Sequence, residues 1–205
     1  MTAGLGVALL LAALYLAFFV WYGGRGRPLD AAETERFMQA LAERAHGPEA
    51  EVLLSEVREL VAKDDGREFV MQNLARYRPK AAYPPGHAFG DDPREADRRY
   101  GKAIVPHLLR NGCLPIFIAR RAGRFIQPAG ADDWHYVAMV RYRSKRDFLR
   151  FALAIERGDI SMHKWAALEK THVFPVQPIV SLFAVRSLVA AIFVALAALL
   201  ACLVR

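Results

Sequence analysis

Asp132 to Phe148, "DDWHYVAMVRYRSKRDF", is the stretch whose reading decides the fold. From His135 to Arg143 it reads as a strand, rich in aromatic and β-branched side chains. At Ser144 its character changes. Ser144 with Asp147 three residues later forms a capping box, and Phe148, Phe151, Ala152 and Ile155 then recur at helical spacing. A strand that feeds directly into an amphipathic helix is a joint of a mixed domain, and the flanking segments decide which one.

Upstream, "REFVMQNLARYR" reads as a strand ending near Arg78, before the turn-rich "PKAAYPPGHAFGDDP". "READRRYGKAIVPHLLRNG" places Tyr100, Ile104, His107 and Leu108 on one helical face, with a kink at Pro106 and a stop at Gly112. "CLPIFIARRAGRFIQ" reads as a strand, an Ala-Gly turn and a short return strand. Downstream, "ISMHKWAALEK" adds a helical turn or two, and "THVFPV" is a last strand that Pro175 assigns to a terminal or edge position. The order β-α-β-(β)-β-α-β is the ferredoxin-like plan, an α+β antiparallel sheet with helices on one face.

An amphipathic hairpin precedes this domain. "LDAAETERFMQALAERA" has Asp30 as N-cap with Glu33 three residues on, and "GPEAEVLLSEVRELVAKDDG" starts at Pro48 and stops at Gly66. From Asp30 to Glu68 there are 11 acidic and 5 basic residues, a net of −6, whereas Phe69 to Pro178 holds 10 acidic and 19 basic, a net of +9. Opposite charge draws the hairpin onto the domain.

The chain has 205 residues, 54% hydrophobic and 24% charged, and segregation explains how it carries both. No charged side chain precedes Arg25, and only Arg186 and Arg205 follow Lys170. "GLGVALLLAALYLAFFVWYGG" supplies enough helix to cross about 30 Å of hydrocarbon, with Trp21 and Tyr22 suited to an interfacial belt. A cleaved signal peptide would need a basic start and a shorter core, which "MTAG" and this run do not provide. "SLVAAIFVALAALLACLV", Ser187 to Val204, is a second uncharged span without a polar stripe. The expected organisation is a transmembrane helix at 1–24, the hairpin at 25–66, the ferredoxin-like domain at 67–178 and a transmembrane helix at 179–205.

Flanking cations set the expected orientation. Arg25 and Arg27 follow the first span, and Lys164, Lys170 and Arg186 precede the second. Both favour a cytoplasmic middle domain with both termini outside, in a bacterial-type inner membrane. Cys113 and Cys202 then sit in a domain and a membrane span, and are not a disulfide pair.

"MQNLARYRPK", "ADRRYGKAIVPHLLRNG", "DDWHYVAMVRYRSKRDFLRF" and "HKWAALEKT" resemble, in order and spacing, the dimeric α/β-barrel superfamily, nearest its EthD-related, mostly uncharacterised branch. The resemblance covers residues 68–176. It implies a homodimer made by packing two sheets face to face, and a ligand cleft between sheet and helices. Members include cofactor-free monooxygenases, lactone isomerases, haem-binding proteins and proteins without known activity; none of their catalytic motifs transfers here. The cleft is expected to be mostly apolar, lying beside the helices that begin near Arg94 and Ser144. Phe148, Phe151 and Ile155 would form its floor or the adjoining core, with Met139 and Tyr77 from the sheet.

The candidate ligand-binding residues are His163, His135, Asn73, Tyr77, Arg141 and His107. His163 lies in the segment most like the family's last helix. His135 shares a strand face with Val137, Met139 and Arg141, where an imidazole and a guanidinium would orient a polar ligand. Asn73 and Tyr77 on the first strand share a face with Phe69 and Met71 and would line the same cleft. His107 faces the core, where a structural role competes with a ligand role. No histidine pair has zinc spacing, no CxxC occurs, and no phosphate loop or G-x-S-x-G is present, so the sequence names no metal, cofactor or catalytic group.

"RYRSKR" and "ARRAGR" are basic; a merely solvated basic face is the first reading, and for a membrane-held chain anionic headgroups are a nearer partner than nucleic acid. Two function classes remain open. One is a non-catalytic, membrane-anchored module that dimerises and binds a hydrophobic small molecule, or serves as an accessory subunit of a membrane complex. The other is a cofactor-free monooxygenase or isomerase acting on a lipid-soluble aromatic or quinone-like substrate with a histidine base.

The orientation has a direct check. A reporter active only in the periplasm should be silent when fused after Arg27 and active when fused after Arg205; the reverse pattern contradicts the positive-inside argument.

Overall fold

The structure, a computed structural model, describes residues 3–23, 26–44, 50–155, 160–179 and 185–203. It divides into two compact units, residues 26–177 and the paired terminal segments 1–25 and 178–205.

In the first unit the sheet is built from β1 (Phe69–Tyr77), β2 (Leu114–Arg120), β3 (Tyr136–Tyr142) and β4 (Leu168–Val176), in the order β2-β3-β1-β4. Every neighbouring pair is antiparallel. With α4 (Pro93–Arg110) between β1 and β2, and α5 (Lys145–Ile155) and α6 (Ile160–Ala167) between β3 and β4, this is the ferredoxin-like arrangement. Register assigns the faces. Phe69 pairs with Tyr142 and Met71 with Val140, so odd β1 and even β3 positions look the same way, toward the helices. There Phe69, Met71 and Tyr142 meet Leu108 of α4 and Phe151 of α5 in a closed core, with Phe148 and Ile155 packed against it. The space expected to be an apolar cleft over Phe148, Phe151 and Ile155 is thus filled by side chains. Met139 belongs to the other face, since it pairs with Gln72.

That other face carries Val70, Leu74, Val137, Met139, Phe117 and Phe174 in register across all four strands. Val70 among them is buried and the other five are half-buried, although none belongs to the three buried clusters.

The expected return strand after β2 does not form. Residues 121–135 run as an irregular loop, with Phe125 and Ile126 almost fully exposed. Four of its carbonyls are satisfied by side chains instead of a ladder: Arg121 donates to Gly123 O and Trp134 O, and Gln127 to Ala131 O and Asp132 O.

The acidic hairpin, α2 (Ala31–Ala42) and α3 (Ala50–Ala62), belongs to the same unit as the sheet and forms a further layer over α5. Met38, Leu41, Val57 and Val61 enclose Leu149, which is fully buried. Its attachment is specific. Arg146 donates two bonds of 2.9 Å to the Glu33 carboxylate, and others to Arg27 O at 2.9 Å and Pro28 O at 3.0 Å. Lys145 donates to Lys63 O at 2.7 Å and faces Asp64 and Asp65. Asp64 in turn accepts from Leu29 N at 2.7 Å. Gly66, at φ +72°, lies so close to segment 26–28 that a Cβ would stand 2.6 Å from Gly26 O. Ser144 and Asp147 close the capping box beneath this latch, with Asp147 N donating to Ser144 Oγ.

In the second unit α1 (Ala3–Gly23) and α7 (Val185–Leu203) are long and apolar enough to cross a membrane. They run antiparallel, since Tyr15 meets Phe193 while the Arg186 guanidinium covers Phe19 and Tyr22. Leu10, Leu16, Val20, Leu188 and Val194 remain exposed on the pair. Cys202 lies here and Cys113 in the core of the other unit, both as free thiols.

The latch generates a stability prediction. Arg146→Ala leaves Glu33 only the 3.5 Å contact with the exposed Arg27 and should cost about 2 kcal/mol. Gly66→Ala meets both a left-handed backbone and a collision, and should cost at least about 2 kcal/mol. Arg146 holds the Glu33 carboxyl down to about 2 against an ordinary 4.5. The stability it supplies is therefore complete above the ordinary value and is lost as pH falls toward 2. Denaturant titration of the detergent-solubilised chain reads these effects; losses within about 0.5 kcal/mol, as for ordinary surface changes, contradict the latch.

Candidate functional site

The sheet, α4 and the 121–135 loop converge at one end of the domain. Ala75 pairs with Tyr136, which sets the Tyr77 and Tyr136 rings side by side, 5.4 Å apart, on the helix-facing side. Across from them α4 begins. Asp92 caps it by accepting from Arg94 N, Pro93 takes the first turn, and Asp97 follows one turn later. Tyr77 Oη donates to Asp97 Oδ2 at 2.8 Å and Tyr136 Oη to Asp97 Oδ1 at 3.2 Å. Burial pushes the Asp97 carboxyl above its usual range, while the two hydroxyl bonds and the Lys164 charge pull it back. Both tyrosines are raised well above the ordinary phenol, chiefly by burial and then by the Asp97 charge.

Beside this cluster opens a cleft of about 640 Å³, lined among others by Tyr77, Asp97, Ile118, Trp134, His135 and Tyr136. That volume suits a small-molecule site. Its walls also carry Arg94, Arg98, Arg120, Arg121 and Arg124 against only Asp97 and Asp133. The arginines are not equivalent. Arg98 pairs with Glu95, and Arg121 and Arg124 both pair with Asp133, whose carboxyl they hold down to about 2. Among the described residues, Arg94 and Arg120 form no ion pair with an acidic group. Such a site has cations to offer an anion, an apolar wall in Ile118 and Trp134, and a carboxyl able to exchange a proton through two phenols.

The structure brings two of the six candidates together here. Tyr77 lines the cleft through its ring and hydroxyl. His135 lines it too, but not from the strand face expected: its Nδ1 accepts the Tyr77 backbone N–H at 2.9 Å, and its ring stacks on Tyr77. The neutral ring then carries its proton on Nε2 and is a donor to the cleft.

The other four lie elsewhere. The Asn73 amide donates to Met71 O and Ala138 O within the sheet. Arg141 is buried at the far end of β3, held by Glu68 and Gly112 O. His163 meets Tyr83 Oη through Nδ1 at 2.9 Å, edge-on to Phe89, in an aromatic cluster outside the cleft lining. His107 sits in the last turn of α4, remote from the cleft at that helix's start.

Asp97, Tyr136, Arg94 and Arg120 were not legible as site residues. One signal for Asp97 exists: the stripe Tyr100, Ile104 and Leu108, extended back one turn, lands a carboxylate on a buried helix face.

No protein-family model matches the chain, and no curated protein matches it. Among solved structures it is similar to a protein of unknown function from Rhodopseudomonas palustris, at 26% identity over 66% of this chain and 97% of that one, with a TM-score of 0.55. It is similar also to the methylated form of that protein, at 27% identity over 67% and 97%, again with a TM-score of 0.55. The likeness bears out the α+β fold and carries no role with it.

Replacing Tyr77 and Tyr136 by Phe removes both donors to Asp97, so its pKa should rise further. A carboxyl with a raised folded pKa adds stability that is present below its ordinary value and lost as pH rises through the folded one, the opposite sense to Glu33. Carboxyl-carbon NMR titration checks this; an unchanged or lower Asp97 value contradicts the arrangement.

Proposed function

We propose that the chain is a membrane-anchored binding module. Its two apolar helices hold the α+β unit at the cytoplasmic face of the membrane, and the Arg94–Arg120 cleft takes the anionic group of an amphipathic small molecule. Two guanidiniums without acidic partners among the described residues, in a cleft that also offers Trp134 and Ile118, carry this reading. The ligand expected from the sequence, a hydrophobic small molecule, thereby acquires a charged head. The apolar outer face of the sheet supports pairing with a second copy or with a larger membrane complex. Placement in the dimeric α/β-barrel superfamily, near the EthD branch, is part of the same proposal.

Asp97 favours a second reading, a cofactor-free enzyme that moves a proton on an aromatic or quinone-like substrate. His135 is a poor base there, because Nδ1 is already occupied by the Tyr77 amide. The carboxyl of Asp97, relayed by Tyr77 and Tyr136, takes that part.

Titrating the full-length protein in neutral detergent with benzoate, inorganic phosphate and benzyl alcohol separates these ideas. The anions should bind saturably and benzyl alcohol should not. Losing one charge-assisted contact in Arg94→Ala or Arg120→Ala should weaken binding about tenfold or more. Undiminished benzoate binding in the double variant contradicts the site. Asp97→Asn removes a like charge from the cleft wall, so benzoate binding should be undiminished or tighter, and loss of substrate turnover with binding retained would select the enzyme.

A further inference from the structure

The loop between β2 and β3 holds two apolar side chains in water by design of its own framework. Phe125 is 97% exposed and Ile126 86%. An unstructured tip would let such residues fold back, yet this one is braced from within. Arg121 reaches Gly123 O, Trp134 O, Asp133 and Gln127 Oε1, and Gln127 ties the far limb through Ala131 O and Asp132 O. The loop carries Arg121 and Arg124 toward its tip and Asp132 and Asp133 at its base, with Arg120 just before it. Arg124, next to Phe125, keeps 69% of its side-chain surface exposed although it reaches Asp133. A cation adjoining a paired aromatic and aliphatic tip matches the boundary of an anionic bilayer, where headgroup phosphates lie beside acyl chain.

We propose that the 121–135 loop is a bilayer-contact element, with Phe125 and Ile126 entering the acyl boundary of an anionic leaflet and Arg124 meeting its phosphates. This rests on the reading that α1 and α7 hold the chain in a membrane, and it gives the unit a second point of attachment. Because Arg120, Arg121 and Arg124 also wall the cleft, contact with lipid places the cleft mouth at the membrane surface.

The test uses the full chain with Phe125→Trp, reconstituted into phosphatidylcholine vesicles with and without phosphatidylglycerol. Emission of the native Trp21, Trp134 and Trp165 is removed by difference against the unsubstituted protein. With phosphatidylglycerol present, the added indole should shift to the blue, resist aqueous iodide and be quenched by lipids brominated near the top of the acyl chain. Adding Arg124→Glu should weaken that quenching at least twofold. An indole that stays open to iodide and blind to the brominated lipid overturns the proposal. So does burial that grows with protein density without lipid quenching, which would assign the tip to a second copy. Alkaline carbonate washing distinguishes the premise: a chain stripped from vesicles loses the anchoring reading and the loop proposal together, whereas a retained chain with an open tip loses only the latter.

Discussion

Two adjacent cations at the start of α5, Lys145 and Arg146, determine how the hairpin α2–α3 and the segment 27–29 are docked within the sheet's unit. Arg146 joins the Glu33 carboxylate to the carbonyls of Arg27 and Pro28, and Lys145 joins Lys63 O to the Asp64–Asp65 pair. Helix α5 is itself fixed by the capping box of Ser144 and Asp147, and by Leu149 buried under the hairpin. A charge pair in such a place is costly to desolvate, so its contribution is chiefly specificity. It selects one docking of the hairpin where diffuse attraction would accept many. It also grips residues 27–29, the segment between the first apolar helix and α2.

The strand–helix joint at Ser144 was legible because two periods meet there, alternation before it and helical recurrence after it. The same rule recovered α2, α4, the body of α3 and three strands; β4 begins at Leu168, inside the "LEK" expected to end the preceding helix, and the expected α3 start at Pro48 lies outside the described residues. The rule failed at 121–135, where "RFIQ" has strand-like composition but does not add to the open edge of β2, and Arg121 and Gln127 bond the local carbonyls instead. The hairpin's acidity was legible as an average, −6 against +9, but not as Arg146 with Glu33. A pair separated by 113 positions leaves no local trace.

The site was harder for a related reason. Histidines drew the sequence reading because imidazole is versatile, and four of the six candidates proved to be held in structural contacts or remote from the cleft. Tyr77 stood out as polar on an apolar strand face; its partners Tyr136 and Asp97 join it only through strand register and the start of α4. Arg94 and Arg120 look like ordinary surface cations until the acids near them are assigned. Glu95 and Asp133 go to other arginines, and the charge left over defines the cleft. The expected greasy pocket gives way to an amphipathic cleft, which two guanidiniums and a half-buried carboxyl line together.

That claim is tested most directly by locating an anion. Crystals of the full-length protein grown with para-bromobenzoate allow the bromine to be placed by its anomalous signal. The account predicts the carboxylate between Arg94 and Arg120, with the ring and bromine against Trp134 and Ile118. Bromine bound elsewhere at saturating concentration, with this cleft empty, would contradict it.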